Sequence, residues 1–200
     1  MLDVIRSIVA NVLVALYQPF VFALLLTVLF MGLYIYAKEY GWKNVWQKWI
    51  EAFKSSRDFR RIFFLTFYTV MILFRTLLNR NMWANPVMDV IGVWGLYDKN
   101  GQLTTQTIEN LALFIPFAVL LLWNFRKQLL GEKVKLLKVM WQSVKIVFLF
   151  SLSIEFLQLF LRLGTFQLSD LFFNTLGGLI GGFIYWIGYQ FTKRTRSEGA

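Results

Sequence analysis

The sequence predicts an all-α integral membrane protein, a bundle of about five transmembrane helices with its N-terminus outside and its C-terminus inside. Hydrophobic residues make up 58% of the 200 residues, and charged residues make up 16%. Soluble domains average about 45–50% apolar and about 25% charged residues. The charges stand in blocks between uncharged stretches, and five of these stretches approach the roughly 20 residues that cross a bilayer.

These five apolar stretches are the predicted membrane spans, numbered one to five in chain order. Span one is free of charge, whereas span two is short and carries Arg75 near its end. Each span is expected to be a helix, because the bilayer interior offers no water to unpaired backbone groups. The ranges are 12–36, 62–78, 108–125, 139–161 and 171–191. Together they predict a single transmembrane domain over residues 1–200.

The start of the chain allows a second interpretation. Pro19 is expected to kink span one, and apolar residues recur at helical spacing through residues 2–16. This segment is therefore either part of the span or an interfacial or re-entrant helix. A cleaved signal peptide is disfavoured, because the apolar run is too long and no A-x-A-like cleavage site follows it.

The distribution of lysine and arginine predicts the orientation, because cytoplasmic loops retain the positive excess. Seven basic residues lie between spans one and two, five between spans three and four, and three after span five. The opposite side carries only Arg6, Arg80 and Lys99. The net charge of +10 therefore indicates the orientation of the chain in the membrane, and no nucleic-acid partner is predicted. The loops over residues 79–107 and 162–170 are expected to face outward.

Aromatic and basic residues interleave in the first inner loop. The aromatic set is Trp42, Trp46, Trp49 and Phe53, and the basic set is Lys43, Lys48 and Lys54. Spacings of three and four residues predict an amphipathic helix lying on the cytoplasmic leaflet, with its aromatic side in the membrane. A nucleic-acid surface is the competing interpretation, but membrane burial already explains the aromatic residues.

Polar side chains inside the spans are the candidate functional residues, because a charge at the centre of a membrane helix costs about 2.5–3.5 kcal/mol. With the predicted orientation, four spans place such groups in the outer half of the bilayer. Helical spacing along span four puts three of them on one face, together with Arg162 just after the span. The candidate ligand-binding residues are Arg75, Glu109, Asn110, Ser151, Glu155, Gln158, Asp170 and Asn174.

Small residues and a proline predict how these groups converge. Span five continues beyond Asp170 and Asn174 with paired glycines at positions 177–178 and 181–182. This pattern allows a neighbouring backbone to approach closely, so we expect both polar residues to lie against the polar face of span four. Pro116 is expected to kink span three and free backbone carbonyls near the same pocket.

A structural role is the alternative interpretation of the same residues. Arg75 could neutralise Glu155 as an interhelical pair, with the amide side chains as interhelical hydrogen bonds. That role is favoured for each residue alone, whereas a pocket is favoured for the whole set, because stability gains little from so many costly groups. The chain has no Cys and no His, so thiolate chemistry and the commonest base and metal ligands are excluded. No cofactor or metal site is predicted.

Two stretches carry a family resemblance. Residues 108–123 place Asn110 and Pro116 in an N-x5-P pattern, and residues 151–183 contain S-x3-E-x2-Q followed by D-x3-N-T-x-G-G. The chain resembles the VanZ family through these patterns. Arg75 with the following threonine, and the outer-loop sequence NPVMDVIGVWGLY, are similar to members from Gram-positive bacteria. Gln167 departs from the founding type of sequence, which carries an acidic residue there.

The resemblance implies a multi-pass protein of the bacterial plasma membrane, associated with antibiotic resistance to teicoplanin and lipoglycopeptides. We expect a non-enzymatic pocket that faces outward in the cell envelope. Its partners would be membrane lipids and a lipid-linked peptidoglycan precursor or an acylated glycopeptide. One alternative is a membrane enzyme that acts on a lipid-linked cell-wall intermediate, with Glu155 and Asp170 as acid and base or as Mg²⁺ ligands. A transporter is a third possibility.

Overall fold

The computed structural model describes residues 26, 29, 33, 36–78, 85–95, 97–98, 100–102 and 104–198. This part of the chain is all-α, and residues 36–40 are helical. The longer elements are α1 (Trp42–Ser55), α2 (Arg57–Leu73), a π-helical segment (Phe74–Leu78), α3 (Gln106–Asn124), α4 (Arg126–Leu130), α5 (Leu136–Leu161) and α6 (Leu168–Glu198).

The described residues form two compact units, one that ends at Arg60 and one that begins at Arg61. In the first unit, α1 buries none of its residues. Trp46 is 61% exposed, and the rings of Trp49 and Phe53 stack at 5.4 Å between centroids. The predicted helix is therefore present, and its three tryptophans are exposed, as a helix on a membrane surface requires.

Three helices in the described residues are long and apolar enough to cross a membrane, over Gln106–Asn124, Leu136–Leu161 and Leu168–Thr195. They match predicted spans three, four and five. Span two is helical, but α2 has 17 residues, about 26 Å at 1.5 Å per residue, and the π-helical segment continues it. Most of span one and all of residues 2–16 lie outside the described residues, so the count of five spans and the orientation stay predictions.

The packing of α6 against α3 depends on glycine. A Cβ atom on Gly177 would overlap the carbonyl oxygen of Leu111, and one on Gly181 would overlap that of Ile115. Both obstacles are backbone atoms, which cannot turn aside as a flexible side chain can. The two helices therefore approach through these positions, as the spacing of small residues predicts.

The packing of α6 against α5 uses the other glycine of each pair. A Cβ atom on Gly178 would lie 2.7 Å from Val147 side-chain carbons, and one on Gly182 would lie 2.8 Å from the Cβ atom of Ser143. The Ser143 hydroxyl donates a hydrogen bond to the Gly178 carbonyl at 2.5 Å. Adjacent glycines thus face different neighbours, which lets α6 pack closely on α3 and α5 at once.

Pro116 lies inside α3, and the helix continues through it from Gln106 to Asn124. Proline removes one backbone donor from a helix. Nearby, the Tyr68 hydroxyl of α2 donates to the Leu113 carbonyl at 2.9 Å. The carbonyl that loses its helical donor at Pro116 is that of Ala112, four residues earlier, so the bond to Leu113 does not test the expected kink, which stays a prediction.

Candidate functional site

The polar residues of α5 share one buried face. Ser151 is 0% exposed, and Glu155 and Gln158 are each 2% exposed. Steps of four and three residues place them on one side of a helix, as the sequence predicts. This face points into the bundle, where each polar group needs a partner to offset the cost of its desolvation.

Each of these three side chains is bonded to a different part of the chain. The Asn174 amide of α6 donates to the Ser151 hydroxyl at 2.8 Å. The backbone N–H of Gln167 donates to a Glu155 carboxylate oxygen at 2.9 Å. Gln158 donates to the backbone carbonyl of the residue after Arg75, Thr76, at 2.7 Å. The polar face of α5 therefore connects α6, the loop before α6 and the π-helical segment.

A second set of bonds extends this arrangement to α3. The Gln106 side-chain amide donates to Asp170 at 2.9 Å and to the side-chain oxygen of Gln167 at 2.8 Å. Gln167 in turn donates to the Thr165 hydroxyl at 3.0 Å. We call these hydrogen-bonded residues, taken together, the buried polar network. It consists of Thr76, Gln106, Ser151, Glu155, Gln158, Thr165, Gln167, Asp170 and Asn174.

The loop over residues 85–95 lies against this network. The backbone N–H of Phe166 donates to the Pro86 carbonyl at 2.9 Å, and that of Leu168 donates to the Val90 carbonyl at 2.8 Å. Gly92 has φ 74° and sits against Ser169, where a Cβ atom would overlap the serine hydroxyl. A larger residue there would be strained and would clash, so glycine lets the loop cover the network closely.

Arg75 pairs with Glu109, whereas the interpretation of these residues as purely structural pairs it with Glu155. Its guanidinium forms an ion pair with Glu109 of α3, and the two side chains are 54% and 46% exposed. The Thr105 hydroxyl donates to the other oxygen of Glu109 at 2.5 Å. The alternative pairing of Arg75 with Glu155 is therefore not the one that the structure shows, since Arg75 lies in the π-helical segment and meets the N-terminal end of α3.

A groove between α2 and α3 contains this ion pair. Its volume is about 420 Å³. Its described lining residues, which we call the charged groove, are Tyr68, Met71, Arg75, Glu109, Asn110, Ala112 and Leu113. The Nδ2 atom of Asn110 is buried and has no hydrogen-bond partner in the structure. An unmet buried donor costs about 1–3 kcal/mol, and an acceptor that reaches this nitrogen from the groove would offset that cost.

Two acceptor or donor atoms of the network region also lack partners, the Ser169 hydroxyl and the Asn174 side-chain oxygen. Both residues belong to α6 and lie in its first two turns. Among the described residues, no three His, Cys, Asp or Glu side chains are grouped so that they could hold a metal ion. The described residues of the charged groove and the buried polar network therefore offer amides, hydroxyls, the Arg75 guanidinium and the carboxylates of Glu109, Glu155 and Asp170.

The structure brings all eight predicted residues to the charged groove or the buried polar network. It also adds Thr76, Gln106, Thr165 and Gln167, which the sequence interpretation did not assign to the site. Gln106 precedes Asn110 by four residues, and that spacing could have identified it. The other three lie at span ends or between spans, where depth in the membrane gives no signal.

Comparison with known proteins gives one match. A family model described as VanZ/LLP1 matches residues 20–189. The matched range includes the charged groove, the buried polar network and the glycines of α6. No curated protein matches the chain, and no solved structure matches it.

Proposed function

The chain belongs to the VanZ/LLP1 family, and from this premise we propose that its charged groove binds a lipid-linked cell-wall precursor or an acylated glycopeptide. Binding would change the access of the antibiotic to its target at the cell surface. The protein would then contribute to teicoplanin and lipoglycopeptide resistance from the bacterial plasma membrane. Its spans would cross that membrane several times, with the groove facing outward.

The observation that carries this proposal is the unpartnered Asn110 amide beside an accessible guanidinium. Arg75 is half exposed, and a planar guanidinium matches phosphate or carboxylate with two parallel hydrogen bonds. Asn110 would donate to an acceptor of the same ligand, and Glu109 would accept from amide or hydroxyl donors. Met71 and Leu113 line the same groove and suit an acyl chain.

The buried polar network supports the groove in this proposal. Gln158 holds the carbonyl of Thr76, the residue next to Arg75. Gln106 holds Asp170 from the same turn of α3 that carries Glu109. The remaining predicted residues, Ser151, Glu155, Gln158, Asp170 and Asn174, would therefore fix the positions of the groove side chains, and the unpartnered Asn174 oxygen could extend the ligand site inward.

A membrane enzyme acting on a lipid-linked cell-wall intermediate is the second candidate. One observation favours it, because two glutamines link Glu155 to Asp170. The Gln167 N–H donates to Glu155, and the Gln106 side chain donates to both Gln167 and Asp170. Two carboxylates so linked could act as general acid and base. Their bonds to amide donors equally suit a supporting role, and binding needs no further group.

The test uses a teicoplanin-sensitive strain that expresses each variant, with the amount in the membrane verified. Arg75→Gln, Glu109→Gln and Asn110→Ala should each lose most of the protection against teicoplanin, because each removes a groove contact. Arg162→Gln is the matched control, since Arg162 is exposed at the end of α5 and does not line the groove. It should keep full protection.

The same strains distinguish the two candidates. Unchanged resistance in all three groove variants would sink the binding proposal. Mass spectrometry of the lipid-linked precursor pool should show identical covalent species with and without the protein. A new species that disappears in Glu155→Gln and Asp170→Asn would favour the enzyme instead.

A further inference from the structure

A second groove lies at the other end of the helices that form the charged groove. Its volume is about 600 Å³, and its described lining includes Arg61, Trp123, Arg126, Tyr185, Gly188 and Tyr189. Trp123 follows Glu109 by 14 positions in α3, which is about 21 Å along a helix. This basic groove is therefore separate from the site described above, and it lies at the end that the charge distribution predicts to face the cytoplasm.

Two arginines in the basic groove lie within cation–π distance of aromatic rings. The Arg61 guanidinium carbon lies 4.8 Å from the ring centroid of Trp123, and that of Arg126 lies 5.7 Å from the ring centroid of Tyr189. Arg126 also donates to the Tyr189 hydroxyl at 3.5 Å. The rings therefore help to hold both guanidiniums at this groove.

The position of Arg61 is fixed from its backbone as well. The Asn124 side chain of α3 donates to the Arg61 carbonyl at 3.1 Å and to the Leu120 carbonyl at 2.8 Å. This ties the start of the second unit to the C-terminal end of α3. Because Asn124 holds the backbone of Arg61 beside the end of α3, Arg61 lies close to the start of α4 and lines the same groove as Arg126.

The other wall of the groove is apolar and open. Val119 and Ile184 contribute aliphatic surface, and Ile184 is 47% exposed. A Cβ atom on Gly188 would meet nothing within 4 Å. None of the described lining residues is acidic. The groove therefore combines positive charge at one edge with apolar surface on helices that are long enough to cross a membrane.

We propose that the basic groove binds the headgroup of an anionic phospholipid, with the phosphate diester on Arg61 and Arg126 and an acyl chain along Val119 and Ile184. Basic pockets between membrane helices suit such headgroups, because the charge is attracted to the phosphate while the chains remain in hydrocarbon. The apolar wall would add nothing to the binding of a free phosphate ion. An anionic lipid explains both halves of the groove.

Lipid titrations of the full-length protein, read by native mass spectrometry, test this proposal. Phosphatidylglycerol should bind in preference to phosphatidylcholine. Arg61→Gln and Arg126→Gln should each weaken phosphatidylglycerol binding about tenfold or more, because each removes a charged hydrogen bond to the phosphate. Lys127→Gln removes an exposed charge beside Arg126 without touching the groove, and it should weaken binding by at most about fivefold, the effect of one basic residue near a lipid surface.

Gly188→Leu provides a test that keeps every charge. The new side chain starts in open space, so the protein should fold, and the added volume should exclude the lipid from the groove. Equal losses in Lys127→Gln and Arg126→Gln would overturn the proposal, as would unchanged binding in a folded Gly188→Leu. Displacement of the lipid by inorganic phosphate at equal concentration would assign the groove to a free anion and also overturn it.

Discussion

The charged groove and the buried polar network are built from neighbouring residues but differ in exposure and in hydrogen bonding. In the network, Glu155 and Gln158 are each 2% exposed and accept or donate bonds within the protein. In the groove, the Arg75 and Glu109 side chains are about half exposed, and the Asn110 amide has no partner. The polar residues at this end of the helices therefore divide into a set whose bonds join separate segments and a set that lines a groove.

This difference predicts where each kind of substitution acts. A satisfied buried group leaves an orphaned partner when it is removed, which costs about 1–3 kcal/mol. An exposed ion pair contributes about 0–1 kcal/mol. Variants of the network should therefore lower the free energy of unfolding, whereas variants of the groove should change ligand binding with little effect on stability.

The largest expected loss of stability is that of Glu155→Ala. The substitution leaves the Gln167 N–H without its carboxylate acceptor and creates a cavity in the core. The free energy of unfolding should fall by about 2–5 kcal/mol, measured by titration with SDS in mixed micelles. The control is Ser153→Ala, an exposed position on the same helix, which should stay within about 0.5 kcal/mol of the parent. Equal effects at the two positions would contradict the role of the network.

The next largest loss is expected for Gly177→Ala. The added Cβ atom meets the backbone carbonyl of Leu111, so α3 and α6 must separate at the level of the network. Overpacking of this kind costs about 1–3 kcal/mol. The matched variant is Gly188→Ala on the same helix, where the Cβ atom meets nothing within 4 Å. The same SDS titration should show no loss for Gly188→Ala, and a loss there as large as that of Gly177→Ala would refute the packing argument.

A smaller effect is expected for the bond between α5 and α6. Ser151 and Asn174 form an interhelical hydrogen bond of 2.8 Å, and such bonds in membranes average about 0.6 kcal/mol. A double-mutant cycle with Ser151→Ala and Asn174→Ala should give a coupling energy of that size. Zero coupling would mean that the contact adds nothing beyond the packing of the two side chains.

The smallest effect on stability is expected for Arg75→Gln. Its ion pair with Glu109 is half exposed, so the free energy of unfolding should change by about 0–1 kcal/mol. The same variant should lose protection against teicoplanin in cells. A loss of stability as large as that of Glu155→Ala would place Arg75 with the network and end the distinction between the two regions.

Spacing along a single helix was a reliable guide to the site. The steps between Ser151, Glu155 and Gln158 predict one polar face, and all three residues are buried together. The predicted contact of Asn174 with that face is confirmed by its bond to Ser151. The close approach at the glycines of α6 is also confirmed. These features depend on helical periodicity and side-chain size, which are local properties of the sequence.

Pairings between helices could not be obtained in this way. The sequence offers Glu109, Glu155 and Asp170 as acids at similar predicted depth, and depth alone does not tell which one Arg75 meets. The π-helical segment around Arg75 changes the direction of its side chain relative to an α-helix, and the pair forms with Glu109. Gln106 lies two residues before the predicted start of span three, so a search for polar residues within the spans does not include it.

The sequence by itself determined that this chain is an all-α member of the VanZ/LLP1 family with helices long and apolar enough to cross a membrane, because apolar length and motif spacing are properties of the linear sequence. It also determined which face of α5 is polar. The tertiary structure decided which groups are buried and satisfied and which are exposed in a groove. It also assembled Arg61 and Arg126 from distant segments into a second groove, since contacts between helices depend on the rotation and register of each helix, which periodicity does not specify.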